Sequence, residues 1–155
     1  MTAAPSRVPA LIDNFVAALQ ASAGLAGVQV VDGPLVTNSA ASEWVFVGYD
    51  AAPEGEYQTA STSQTWAGLG ARAKNEDILL TGAVLVQRGS TAVKACRDRA
   101  FEVFAAVEAV VRADPALGLP PPTVCSISET TFFTEQTDRG VQGRMTFTLS
   151  SSTRI

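Results

Sequence analysis

The run from Val141 to Ser151 constrains the fold most. Val141, Gly143, Met145, Phe147 and Leu149 alternate with Gln142, Arg144, Thr146 and Thr148. A period of two puts the first set on one face of a pleated strand and the second on the other, which describes a strand with one face buried and one wet. Such a strand needs neighbours in a sheet and something apolar laid over its covered face. The rest of the chain must supply those partners.

Two helical stretches can supply the cover. In residues 8–24, Leu11, Ile12, Phe15, Val16 and Leu19 recur at the spacing of one helical face. Pro9 fits only in a first turn, and Gly24 is suited to a left-handed stop. The second helix is expected over 91–112, with Ser90 as its N-cap and a stripe of Val93, Cys96, Ala100, Phe101, Phe104, Val107 and Val111. Asp114-Pro115 ends it, because the residue before proline avoids the helical region.

The strands come in hairpin-like runs. Residues 28–31 form a short strand closed by Asp32-Gly33-Pro34, and 35–42 read as loop. Residues 43–49 are apolar on both faces, with Trp44 and Phe46 pointing one way and Val45, Val47 and Tyr49 the other. An acidic loop, 50–57, is expected to project from the domain. Residues 58–69 are a Ser/Thr-rich strand suited to an edge, and 76–87 carry Ile78, Leu80, Val84 and Val86 on one face. Residues 123–134 pair with the final strand across a turn at Asp138-Arg139-Gly140. The expectation is therefore a single α+β domain over 1–155, with an antiparallel or mixed sheet and two main helices packed mostly on one face.

Composition removes several kinds of chemistry. The chain has no histidine, which excludes the usual serine and cysteine triads and most zinc sites. Cys96 and Cys125 are not in a CxxC pair and sit among apolar neighbours, as reduced core cysteines do. Gly68-Leu69-Gly70 fits neither a dinucleotide nor a P-loop pattern. The carboxylates Glu54, Glu56, Glu76, Asp77, Glu129 and Glu135 form no pair in a visibly apolar setting. No catalytic residue, metal or cofactor is expected. The net charge of −4 comes without a basic cluster, which disfavours nucleic-acid binding, and no apolar run is long enough for a membrane span.

Several segments in sequence order carry a resemblance. They are Val31-Asp32-Gly33-Pro34, Phe46-Val47-Gly48-Tyr49-Asp50, and Trp66 through Glu76; Arg97 to Phe101, Arg112 to Pro115 and the Arg154-Ile155 end follow. Together they resemble the tail terminator (tail completion) proteins of long-tailed bacteriophages that infect actinobacteria. The resemblance implies a virion protein, assembled in the host cytoplasm, that forms a hexameric ring at the head-proximal end of the tail tube. It implies the tail tube protein and head-completion or neck proteins as partners. DNA would pass through the ring without specific binding, and six times −4 gives about −24 of formal charge around that channel. An acidic and uncharged polar lumen follows as an expectation, with Arg72, Lys74, Arg139 and Arg144 away from the axis.

No position carries over from the family, so the candidate interface comes from the residues themselves. It is the acidic loop and the polar strand after it: Asp50, Pro53, Glu54, Gly55, Glu56, Tyr57, Thr59, Ser61 and Ser63. Strands with unsatisfied edges are suited to pairing with a neighbour's backbone; an ordinary edge strand facing water reads the same way. Another neck or minor tail component of the head-closure type remains open as an alternative, as does a small-ligand-binding or carboxylate-based enzyme domain.

Overall fold

The computed structural model describes residues 4–34, 41–52 and 55–155. The elements run α1 (Val8–Gln20), a 3-10 turn (Ala23–Leu25), β1 (Gln29–Asp32), β2 (Glu43–Val47), β3 (Ala60–Trp66), β4 (Lys74–Arg88), α2 (Val93–Ala113), β5 (Val124–Thr137) and β6 (Gly140–Arg154). The described strands make one six-stranded sheet in the order β1-β2-β4-β6-β5, with β3 also on β4. β1 is parallel to β2 and every other pairing is antiparallel, so the sheet is mixed.

The alternation of β6 sets the two faces. Val141, Met145, Phe147 and Leu149 are buried, and they meet Ile78, Leu80, Val84 and Val86 of β4 and Val45 and Val47 of β2 under both helices. Helix α1 adds Leu11, Phe15 and Leu19, and α2 adds Cys96, Ala100, Val103, Val107 and Val111. The single α+β domain with its helices over one sheet face is thus observed.

Four local expectations are corrected. Helix α1 ends at Gln20, and Gly24 lies in the following 3-10 turn. A Cβ on Gly24 would stand 3.3 Å from the Ala106 Cβ, so its smallness serves close approach to α2 rather than a left-handed cap. Helix α2 begins at Val93 behind Ala92; Ser90 merely accepts the Ala92 amide at 3.4 Å. Phe101 lies at the margin of the α2 stripe, 50% exposed, because the buried line runs through Val103 instead. Tyr49 does not share a face with Val45 and Val47. The positive φ of Gly48 (76°) turns the chain, and Tyr49 joins Trp44, Phe46 and Ala83 on the opposite side.

Candidate assembly surface

Strand β4 is long enough to hold two strands end to end along one edge. β2 pairs with it from Val86 to Gly82, and β3 from Leu80 to Lys74. Thr81 sits at the junction and bonds both: its carbonyl accepts the Gly48 amide at 2.7 Å, and its amide donates to the Thr59 carbonyl at 3.0 Å. β2 and β3 are therefore one line along β4, interrupted by an excursion over residues 48–59. The two ends of that excursion almost touch, since a Cβ on Gly48 would lie 2.9 Å from Thr59 Cγ2.

The described start of this excursion folds back on the sheet face opposite the helices. Asp50, Ala51 and Ala52 are half-buried there. Tyr49 packs edge-on to Phe46 (centroids 5.4 Å apart) and to Tyr57 (4.8 Å). The Tyr49 hydroxyl donates to the Ala52 carbonyl, and Asp50 Oδ1 accepts the Ala52 amide at 3.0 Å, an Asx-type local turn. Burial, with Asp50 and Tyr57 nearby, pushes the Tyr49 hydroxyl up from its usual range, so it stays a donor at neutral pH. Arg144 of β6 clamps the segment. Its Nη1 donates to the Asp50 carbonyl at 2.9 Å while its guanidinium lies 4.3 Å over the Phe133 ring. The expected projection is thus limited to the far side, where Gly55, Glu56 and Tyr57 are exposed. Pro53 and Glu54 lie outside the described residues. Thr59 and Ser61 are half-buried and Ser63 is exposed.

β3 has no strand on its outer side among the described residues, as its polar composition implied. β5 is likewise an edge, at the opposite margin of the same sheet. Near its start β5 is covered, because the Cys125 amide donates to the Pro115 carbonyl at 2.7 Å. A bulge between Ile127 and Glu129 follows, and beyond it the edge is open to Thr137. Beside this stretch, a groove of about 480 Å³ separates β5 from α2, lined by Phe101, Phe104, Ala105, Glu108, Ile127 and Thr130.

Two polar arrangements were not legible in the sequence. Glu76 is fully buried, accepting the Arg7 amide and the Gln64 side chain at 2.8 Å each. It pins the start of α1 to β3 and β4. Glu43 takes Arg99 (2.6 Å) and Arg88 (3.0 Å), tying β2 to α2 and β4. Each of these carboxylates has a donor on both of its oxygens. The two cysteines are free and buried, and burial pushes both thiols up, away from the reactive thiolate. Among the described residues no cluster of three or more His, Cys, Asp or Glu is placed to hold a metal, and no helix is long and apolar enough to cross a membrane.

Arg72 and Lys74 flank Trp66 at the β3–β4 turn, Arg139 lies in the β5–β6 turn, and Arg144 is the clamp on Asp50. No protein-family model matches the chain, and no curated protein matches it.

Proposed function

We propose that this chain is a structural subunit of a phage tail, forming a ring of six copies that ends the tail tube and meets the neck proteins. The observation that carries the reading is that two of the sheet's edge strands, β3 and β5, lie at opposite margins with no further strand outside them among the described residues. A ring needs a heterologous contact in which two different surfaces of the same subunit meet. Two opposed, unlike edges offer that contact. The sequence resemblance to actinobacteriophage tail terminators supports a position at the head-proximal end of the tube.

The test is a reconstruction of the head–tail junction of particles containing this chain. Six copies around the head-proximal end of the tube are expected, and particles assembled without the chain should carry tails of uncontrolled length that fail to join heads. Finding the chain in one copy, in a three-fold arrangement, or elsewhere in the particle would overturn the reading in favour of another neck or minor tail component.

A further inference from the structure

We infer that the open half of β5 receives β3 of a second copy of this chain, with Trp66 of that copy seated in the groove beside α2. The inference rests on the ring reading and specifies its contact.

β3 and β6 are both antiparallel to β4, and β5 is antiparallel to β6. β5 therefore runs opposite to β3, so a neighbour in the same orientation brings β3 to β5 as an antiparallel pair.

The next constraint is which backbone groups are free. The Thr59–Thr81 and Ala67–Ala73 bonds show that odd-numbered residues of β3 face β4. Ala60, Thr62, Gln64 and Trp66 thus turn their amides and carbonyls outward, as alternation in an antiparallel ladder demands. On β5, the two-residue turn at Asp138-Arg139 makes Thr137 and Gly140 a bonded pair. Counting back in steps of two, Thr130, Phe132, Thr134 and Gln136 face outward. The Pro115 carbonyl already occupies the outward position at Cys125, so pairing has to lie beyond the bulge.

One register uses every outward position of β3 and every outward position of β5 beyond the bulge. It sets Trp66 opposite Thr130, Gln64 opposite Phe132, Thr62 opposite Thr134 and Ala60 opposite Gln136. The side chains agree with it independently. Even residues of β3 pair with Leu80, Ile78 and Glu76 on the helix-bearing face, and Thr130, Phe132 and Thr134 pair with Phe147, Met145 and Gly143 on that same face. Trp66, 64% exposed in the single chain, then arrives at the groove where Phe101 is 50% exposed. Arg72 and Lys74 accompany Trp66, with Lys74 Nζ 5.0 Å from its ring, and the receiving groove carries Glu129 beside Glu108, which is itself paired with Arg112 at 2.9 Å. The neighbour is staggered along the strands, since Trp66 moves from beside the Ile155 end to Thr130; strands tilted to the axis let such a stagger close.

The experiment uses the full chain and two edge blocks. Thr62→Pro removes an outward amide from β3, and Thr134→Pro removes one from β5; edge positions tolerate proline. Each variant alone should stay monomeric in sedimentation velocity up to millimolar concentration, whereas a mixture should give a one-to-one complex through the two intact edges. Trp66→Ala should weaken that complex about tenfold or more. Independently, Thr65→Cys with Thr131→Cys should yield intermolecular disulfide-linked oligomers on oxidation, because that pair is directly opposed at about 4.5 Å between Cα atoms. Absence of the linked ladder, or no complex from the mixed variants when circular dichroism shows both folded, would overturn the contact. Rings that persist in particles built from either proline variant would also overturn it while leaving the ring reading intact. A wild-type chain located away from the tail end would defeat the ring reading instead.

Discussion

The ring of Phe147 on β6 lies across Gly82 on β4, directly opposite it in register, so closely that a Cβ on Gly82 would stand 2.4 Å from the Phe147 Cζ. Gly82 interrupts the apolar series of β4 for this reason: the aromatic ring fills the space its missing side chain leaves. Phe147 in turn meets Phe15 of α1 (6.4 Å between centroids) and Phe104 of α2 (6.1 Å), so both helices are keyed to this spot. Gly82→Ala should therefore overpack the centre of the sheet and cost about 1–3 kcal/mol. A urea midpoint equal to that of the parent protein would show that Phe147 moves aside freely.

The aromatic side chains of the helices should separate by burial. Phe15 is fully buried and Phe101 is 50% exposed. Phe15→Ala should cost about 3–5 kcal/mol, the range for a large cavity. Phe101→Ala should cost about 1 kcal/mol, from loss of its contact with Phe132 (centroids 5.4 Å apart) and part of its area. Equal midpoints for the two variants in denaturant titration would contradict this assignment of the core.

The same contrast shows where sequence reading succeeds and where it stops. The covered face of β6 was legible because a period of two is a local signal, and the helix positions were legible from theirs. Phe101 was assigned to the buried stripe because apolar type and helical spacing do not say where a stripe ends; that depends on how far α2 reaches over β5. The collinearity of β2 and β3 had no local signal at all. It follows from the fifteen-residue length of β4, which gives two strands room on one edge. The sequence shows Glu76 only as an unpaired carboxylate opening the 76–87 strand, because its two donors come from residues 7 and 64, far away along the chain. The candidate interface was legible as an acidic and polar stretch, but the half-burial of Asp50, Thr59 and Ser61 was not, nor was the clamp from Arg144 on Asp50, for the same reason of distance in sequence.

Stability should fall with acid through Glu43. Hydrogen bonds from Arg99 hold its carboxyl below the ordinary value of 4.5; burial opposes them, and the Arg88 hydrogen bond adds to the lowering. A folded-state pKa below the unfolded one contributes stability that is complete above the unfolded value and is lost as pH falls through the folded one. Glu43→Gln should therefore cost about 1.5 kcal/mol at neutral pH, the scale of a hydrogen bond to a charged group. The gap between parent and variant should narrow as pH drops below 4.5. Urea titrations at several pH values check this, and a gap constant through the acid range would refute it.

The excursion between β2 and β3 should be removable without unfolding the domain. Gly48 and Thr59 already bond the same residue, Thr81, from either side. Joining them directly, by deleting residues 49–58, would set two residues opposite one and turn the two strands into a single strand with a β-bulge, a local arrangement that antiparallel pairs accommodate. Glycine at position 48, with its φ of 76°, suits the first bulge position. The deletion exposes part of Trp44 and Phe46, which Tyr49 and Ala51 now border, so a modest loss of about 1–2 kcal/mol is expected from the uncovered area. The described core between the sheet and the helices contains no residue of this segment. The shortened chain should therefore keep its circular dichroism and a cooperative thermal transition. It should also lose the acidic residues Asp50, Glu54 and Glu56, and charge contacts govern encounter and register more than affinity. In particles, the expected result is a folded subunit that is incorporated poorly at the tail end. Normal tails built from the shortened chain would make the excursion a solvated connection with no part in assembly.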